Sequence, residues 1–288
     1  MMNSLNFKSN ILLKNYTTYG IGGYAKRFIE VNRIESLVEV MKLIDKEGDR
    51  FIIIGNGSNI LFDDRGFDGV VVLNKINFIE WRENIVNVGS GYNFSLLGSQ
   101  ATKKGLSGLE FGVGIPGTVG GAVFMNAGAN GLEIKDAVES ICYIHKNGFI
   151  YDFSKENGQF GYRHSVFQQI DGAIASVKFS LKYDDSVKKR KIEMINYRKA
   201  TQPYREKSCG CVFYNPKGYS AGKLIEECGL KGLKLGGAQV STVHCNFIIN
   251  IGNASSKEVL DLIKYIQFKV CDKSDVMLQT EVRYISYD

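Results

Sequence analysis

The chain of 288 residues is 44% hydrophobic and 23% charged, the balance of a soluble globular protein long enough for two domains, which excludes a disordered or fibrous polymer. Lys and Arg number 36 against 30 Asp and Glu, and the resulting charge of +6 suits an anionic ligand but is too small to point to nucleic acid. Residues 1–8 lack a charged segment leading into an apolar one and no apolar run approaches a bilayer span, so neither a signal peptide nor a membrane span is expected, and the six cysteines are expected to be reduced thiols.

Residues 51–54 read as a buried strand that runs straight into Gly55-Asn56-Gly57-Ser58-Asn59. Residues 70–73 read as a second strand, and Ile85, Val86 and Val88 lie in a third. Residues 93–104 have the pattern of a helix, with Asn93 as cap and Gly105 as stop. Ala173, Ala175, Val177, Phe179 and Leu181 alternate with Ile174, Ser176, Lys178 and Ser180, which is the period of a strand. The polar stretch 183–191 is the expected domain boundary, and its basic run 188–191 reads as the solvated start of a helix. Ser220 is placed to cap a helix through Glu227 that Gly229 ends. Ser256 is placed to cap a longer one carrying Val259, Leu262, Ile263, Ile266 and Val270. A last strand over 277–285 puts Gln279, Glu281 and Arg283 on one face, with Leu278, Val282 and Tyr284 on the other and Thr280 between them. There is no internal repeat and no low-complexity segment.

Glycine, 32 residues against 3 prolines, gathers at 20–23, 55–57, 105–131 and 229–237, where positive φ or close backbone approach is needed. After its strand, the 55–59 loop can aim successive N–H groups at one anion, with Ser58 and Asn59 as further donors; an anion cradle and a plain turn are equal readings of it. No Gly-Lys-Ser/Thr follows, so it is not a P-loop. Gly112-Val113-Gly114-Ile115-Pro116-Gly117 matches G-x-G-x-x-G, but Gly108 and Glu110 interrupt the strand a dinucleotide fingerprint requires, and 118–131 is too glycine-rich for its helix. A backbone-lined groove for an extended dinucleotide fits better, with Gly114, Gly117, Gly120 and Gly121 allowing approach and Asn126 supplying an amide.

Further motifs occur in order. They are Thr17-Thr18-Tyr19-Gly20-Ile21-Gly22-Gly23, the 55–59 loop, Gly108-Leu109-Glu110-Phe111, Gly114-Ile115-Pro116-Gly117-Thr118-Val119-Gly120-Gly121-Ala122 and Asn126-Ala127-Gly128. Tyr162-Arg163-His164-Ser165, Gly210-Cys211-Val212-Phe213-Tyr214-Asn215-Pro216, Ala221-Gly222-Lys223-Leu224-Ile225, Gly229-Leu230-Lys231-Gly232, His244-Cys245-Asn246-Phe247 and Glu281-Val282-Arg283 follow. Together they resemble the UDP-N-acetylenolpyruvoylglucosamine reductase family. The short link after Arg163 is similar to the family's shorter type II form, which lacks an extra substrate loop.

The resemblance implies an α+β chain with an FAD-binding fold of the vanillyl-alcohol-oxidase (PCMH) type over 1–186, in two subdomains of about 1–74 and 75–186. A smaller α+β substrate-binding domain would occupy 187–288, its last strand returning toward the active site. Non-covalent FAD is expected on Gly55, Asn56, Gly57, Ser58, Asn59, Gly114, Ile115, Pro116, Gly117, Thr118, Gly120, Gly121, Ala122 and Asn126. The implied reaction is NADPH-dependent reduction of a UDP-linked enolpyruvyl amino sugar, completing UDP-N-acetylmuramate for peptidoglycan. A cytoplasmic monomer is expected, with no nucleic-acid partner.

Arg163 matches the family's catalytic arginine, a permanent cation suited to stabilising a carboxylate-conjugated negative charge. Glu281 matches its catalytic glutamate. Cys211 departs from the commoner serine at the proton-donor position; a thiol, with an ordinary pKa of about 8.5, is the stronger acid and is the expected donor, whereas Ser208 is not. Asn215 and Gln239 match substrate-contacting positions, Tyr162 is a substrate-site candidate that shapes the pocket, with core packing as the alternative reading, and Lys199, Tyr204 and Lys207 match the diphosphate region only loosely. Cys209, Cys211, His244 and Cys245 lack zinc-site spacing, so no metal is expected; Cys142, Cys228 and Cys271 read as inert core thiols. Two alternatives are an oxidase of the same fold and a non-catalytic nucleotide-binding module. The first is disfavoured because His145, His164 and His244 lie outside any flavin-tethering loop, the second because Arg163, Cys211 and Glu281 are all present.

Overall fold

The structure, a computed structural model, describes residues 5–288; the reading of residues 1–8 falls partly on 1–4, which lie outside the described residues. The chain forms two compact units. The first is built from 5–8, Arg27–Gly55 and Gly69–Arg198, the second from Ser9–Lys26, Asn56–Asp68 and Lys199–Asp288. This division differs from an expected boundary at 187. The helix Val187–Thr201 buries Met194 in the core that holds Phe111 and Leu181, and Arg198 donates to the carbonyls of Phe111 and Val113 at 2.8 and 3.1 Å. Tyr19, Ile21 and Leu61, far earlier in the chain, pack with Val212 and Leu262 in the core of the second unit. Polar composition at 183–191 marks the start of a helix, and that helix belongs with what precedes it.

In the first unit, an antiparallel sheet runs in the order Ile150–Ser154, Val138–His145, Gly172–Ser180, Ile85–Gly89, Ile79–Arg82. The strand Gly172–Ser180 does not hold its alternation. Cys142 pairs with Ser176 and Tyr143 with Ile174, leaving Ala175 as an extra residue, a bulge. The side chains change faces there: Ala173 and Ala175 enter one core, while Ile174, Val177, Phe179 and Leu181 enter the other. The first of these cores also takes Leu37, Val40, Met41 and Ile44, the i, i+3, i+4, i+7 stripe of the helix Ile34–Glu47, each worth about 1.5–3 kcal/mol when buried. Phe51–Ile54 runs parallel to Val70-Val71-Val72-Leu73. The helix Phe94–Lys103 starts and stops as its sequence dictates: Asn93 Oδ1 accepts from Leu96 N at 2.8 Å, and Gly105 has φ +75°.

In the second unit, a three-stranded antiparallel sheet of Lys234–Leu235, Ala238–Val240 and Ile248–Asn250 accompanies the helices Ala221–Glu227 and Ser256–Ser274. Ser220 caps the shorter helix as expected. Ser255, not Ser256, caps the longer one, in a capping box with Glu258, while Ser256 Oγ donates to Asp64 Oδ2. The last strand is only Arg283–Ile285, parallel to Ile60–Phe62. Upstream, the amides of Glu281 and Val282 both donate to the Val212 carbonyl, so a regular ladder cannot continue through 281–282. Leu278 and Val282 are buried as their spacing predicts, but Tyr284 is 39% exposed and its hydroxyl donates to Asp63.

Candidate functional site

Gly55 closes its strand against the turn at Thr118, where a Cβ would lie 2.3 Å from Thr118 Oγ1. Gly57 has φ +60°, and its Cβ would meet the Tyr16 carbonyl at 2.4 Å, so glycine is required on both counts. Thr118 Oγ1 accepts from Gly121 N and caps a six-residue helix, Val119–Phe124, although so glycine-rich a stretch predicts none. Gly120 N donates to the Ser90 carbonyl at 2.8 Å, in a contact that a Cβ on Gly120 would crowd at 2.9 Å from Ser90 Cβ. Ser90 is 2% exposed, and its hydroxyl has no hydrogen-bond partner among the described residues. A buried, unmatched hydroxyl costs about 1–3 kcal/mol, a loss that a polar ligand lying on this glycine turn relieves. These features fit the dinucleotide that the resemblance implies.

The residues expected to hold it divide between the units. Gly55 and 114–126 belong to the first, Asn56, Gly57, Ser58 and Asn59 to the second. Asn56, Pro116 and Gly121 are exposed; Gly57, Thr118, Ala122 and Asn126 are buried; Gly55, Ser58, Asn59, Gly114, Ile115, Gly117 and Gly120 are intermediate.

Asn126 departs from its expected part. Its Nδ2 donates to Glu133 Oε2 at 3.0 Å and to the Gly161 carbonyl at 2.7 Å, and its Oδ1 accepts from Lys135 N at 3.0 Å. The amide is used in tying 126–135 to the turn that carries Arg163. Across that turn Gly161 and His164 exchange main-chain hydrogen bonds of 3.0 and 3.1 Å, leaving Tyr162 and Arg163 at the apex. Arg163 has φ +54°, a left-handed backbone that non-glycine residues adopt chiefly where surrounding structure enforces it. The enforcement is visible. Its Nη2 donates to the Gly128 carbonyl at 2.8 Å, and Gln168 Nε2 bridges the carbonyls of Arg163 and Phe124 at 3.0 and 2.8 Å. The guanidinium also lies 5.1 Å from the ring centre of Tyr162, itself half exposed. Gln168, five residues past the arginine on no periodic pattern, carries no sequence signal for this task.

In the second unit, Cys211 and Glu281 are linked through Val212, the residue that follows the cysteine. Glu281 N donates to the Val212 carbonyl at 2.7 Å. On the other side Asn59 Nδ2 donates to the Glu281 carbonyl at 3.2 Å, and the Asn59 carbonyl accepts from Arg283 N at 3.1 Å. Asn59 therefore positions Glu281. Cys209 is buried; that burial, with Cys211 and Glu281 nearby, pushes its thiol far above the ordinary range and keeps it protonated. Cys211, half-buried, is the more accessible thiol of the two. Cys142, Cys228 and Cys271 are half-buried, with Cys142 and Cys228 packed against apolar cores as expected, while Cys209 and Cys245 are the fully buried thiols. Asn215 Oδ1 accepts from Ala221 N at 3.0 Å, and Gln239 Nε2 donates to the Gly232 carbonyl at 3.0 Å. Lys199, Tyr204 and Lys207 are exposed residues of the same unit.

A family model described as an FAD binding domain matches residues 25–154, and one described as the C-terminal domain of UDP-N-acetylenolpyruvoylglucosamine reductase matches 202–285. With the glycine turns, they define an FAD-dependent oxidoreductase. Curated proteins named UDP-N-acetylenolpyruvoylglucosamine reductase are 49% identical over 283 residues in Protochlamydia amoebophila, covering 98% of this chain and 95% of that one. The one in Chlamydia felis is 45% identical over 281 residues, covering 97% and 95%. A crystal structure of the Thermus caldophilus enzyme superposes with a TM-score of 0.84 at 37% identity, covering 97% of this chain and 99% of that one. The chain belongs to the UDP-N-acetylenolpyruvoylglucosamine reductase family, with an FAD-binding domain and a smaller α+β C-terminal domain.

Proposed function

We propose that the enzyme reduces UDP-N-acetylglucosamine enolpyruvate to UDP-N-acetylmuramate with NADPH, in peptidoglycan precursor synthesis. The observation that carries this reading is that Cys211 is followed by Val212, whose carbonyl accepts a main-chain hydrogen bond from Glu281. The residues around Gly55, Gly57, Ser90 and 114–122 would hold FAD, which would supply hydride chemistry between NADPH and the enolpyruvyl group. Once hydride has reached the methylene carbon, the neighbouring carbon carries the electron pair, conjugated with the substrate carboxylate. Arg163 stabilises that charge, and Glu281 hydrogen-bonds the enol form. Cys211 gives its S–H proton to the neighbouring carbon and regains one from water. Tyr162, Asn215 and Gln239 contact the substrate. The proposed working form is a cytoplasmic monomer; among the described residues no helix is long and apolar enough to cross a membrane.

The test is the visible spectrum of the holoenzyme under anaerobic conditions. NADPH is expected to bleach the flavin band and the enolpyruvyl sugar to restore it. Cys211→Ala is expected to bleach normally and fail to recover, and Cys211→Ser to retain substantial activity. Normal turnover by C211A overturns the donor assignment, and recovery with oxygen alone overturns the substrate.

A further inference from the structure

We infer that Asn246 is a positioning residue for the proton-transfer step, acting through the main chain that carries Cys211. The inference rests on the reading of Cys211 as proton donor.

Asn246 is 2% exposed, and its polar groups converge on the two residues after Cys211. Its main-chain carbonyl accepts from Val212 N at 2.8 Å. Its side-chain Oδ1 accepts from Phe213 N at 2.9 Å, and its Nδ2 donates to the Phe213 carbonyl at 2.8 Å. The amide thus occupies both main-chain groups of one residue, as a neighbouring strand does across an antiparallel pair. The remaining polar group, the Val212 carbonyl, accepts from Glu281 N. Every main-chain N–H and C=O of 212–213 is therefore engaged, and the side chains of Val212 and Phe213 are buried. On its other side Cys211 adjoins Gly210, whose φ of +82° marks a backbone with no Cβ to restrict it. The thiol stands between a pivot and a clamp, and the clamp is Asn246.

The clamp is itself braced. Asn246 N donates to His244 Nδ1 at 3.2 Å, and Ser241 Oγ accepts from the amides of Val243 and His244 at 3.1 and 3.4 Å. Proton delivery to a carbon depends steeply on donor placement, and a displacement of about 1 Å changes such a rate by about 100-fold. Loss of the clamp is therefore expected to affect the step that uses Cys211 and to spare the one that does not.

Asn246→Asp tests this with little change of volume. It retains an acceptor for Phe213 N but sets a carboxylate oxygen against the Phe213 carbonyl. In anaerobic stopped-flow measurements on the FAD-loaded enzyme, flavin reduction by NADPH is expected within about twofold of the parent, and reoxidation by the enolpyruvyl sugar is expected to slow about 100-fold. The sugar concentration giving half-maximal reoxidation is expected to be unchanged. Reoxidation at the parent rate, or an equal fall in both half-reactions, overturns the inference. C211A run in parallel separates two failures. If C211A reoxidises normally, the donor reading falls and the inference with it; if C211A is slow and N246D is not, the inference alone falls. Amide exchange in the unaltered holoenzyme decides independently of any variant: slow exchange at 212–213 supports the clamp, and fast exchange there overturns it.

Discussion

Replacing Arg190 by Met isolates a buried charge. Glu110 is 0% exposed, and its carboxylate accepts from Arg190 Nη2 at 2.8 Å, Ser107 Oγ at 2.9 Å and Gly108 N at 2.6 Å. Burial pushes its pKa up, but the bonds from Arg190, the main chain and Ser107 outweigh that and hold it below the ordinary value. Without Arg190 the carboxylate keeps its burial and loses its cation. Breaking a fully dry pair costs about 3–5 kcal/mol; the Arg190 side chain is 33% exposed, so water relieves part of the loss and about 2–3 kcal/mol is expected. For a chain of this size that is a melting-temperature drop of roughly 3–5 °C at pH 8. The pH dependence carries the diagnosis. In the parent, a depressed folded pKa means that the pair's stabilisation is present above the unfolded value of about 4.3 and is lost as pH falls through the folded one. In R190M the uncompensated burial raises the folded pKa, so the variant gains on the parent as protons are taken up. The deficit is expected to be widest at pH 7–8 and to narrow toward pH 4. E110Q/R190M is expected to melt above R190M, since it buries no charge. Thermal melts across that range refute the reasoning if R190M matches the parent at pH 8, or if its deficit does not change with pH.

Ser90→Ala is expected to weaken FAD binding by about 2–12-fold, the equivalent of one hydrogen bond; an unchanged dissociation constant in a flavin-fluorescence titration removes the hydroxyl from the cofactor site. Gly55→Ala sets a Cβ 2.3 Å from Thr118 Oγ1 and is expected to destabilise by about 1–3 kcal/mol. Thr118→Ala, though it sacrifices a helix cap, is expected to recover part of that loss in G55A/T118A, and strict additivity of the two in chemical denaturation contradicts the clash.

Features set by neighbours in the chain were legible. Strand 51–54 and helix 93–104 announce themselves through apolar runs, a capping Asn93 and a stopping Gly105. At the last long helix the expected cap, Ser256, was one residue late: Glu258 stands three residues after Ser255, the capping-box spacing that selects Ser255. Features set by distant partners were not. The bulge at Ala175 depends on how Val138–His145 is aligned with it, so the alternation of 173–181 predicts one face where the protein has two. Arg190, inside a basic run, looks solvated because its partner Glu110 lies 80 residues away. Among the site residues, motif order marked Arg163, Cys211 and Glu281, but not the hydrogen bond from Glu281 N to the carbonyl of Val212, nor that Asn126 is occupied inside the fold. Residue identity is local information, whereas the bonds that orient a residue are made after the chain has folded back.

The discontinuous second unit has a consequence for synthesis on the ribosome. Ile60–Phe62 finds its parallel partner in Arg283–Ile285, about 220 residues later, which at 5–20 residues per second is a wait of roughly 10–45 s. Leu61 and Phe62, fully buried in the finished protein, emerge long before that partner exists. A nascent chain in this interval presents an apolar segment to chaperones, and loss of the codons for 283–285 leaves that strand without its partner. For the same reason a gene fragment encoding only 199–288 lacks Tyr19, Ile21 and Leu61 and cannot complete the core on which Cys211 and Glu281 are mounted.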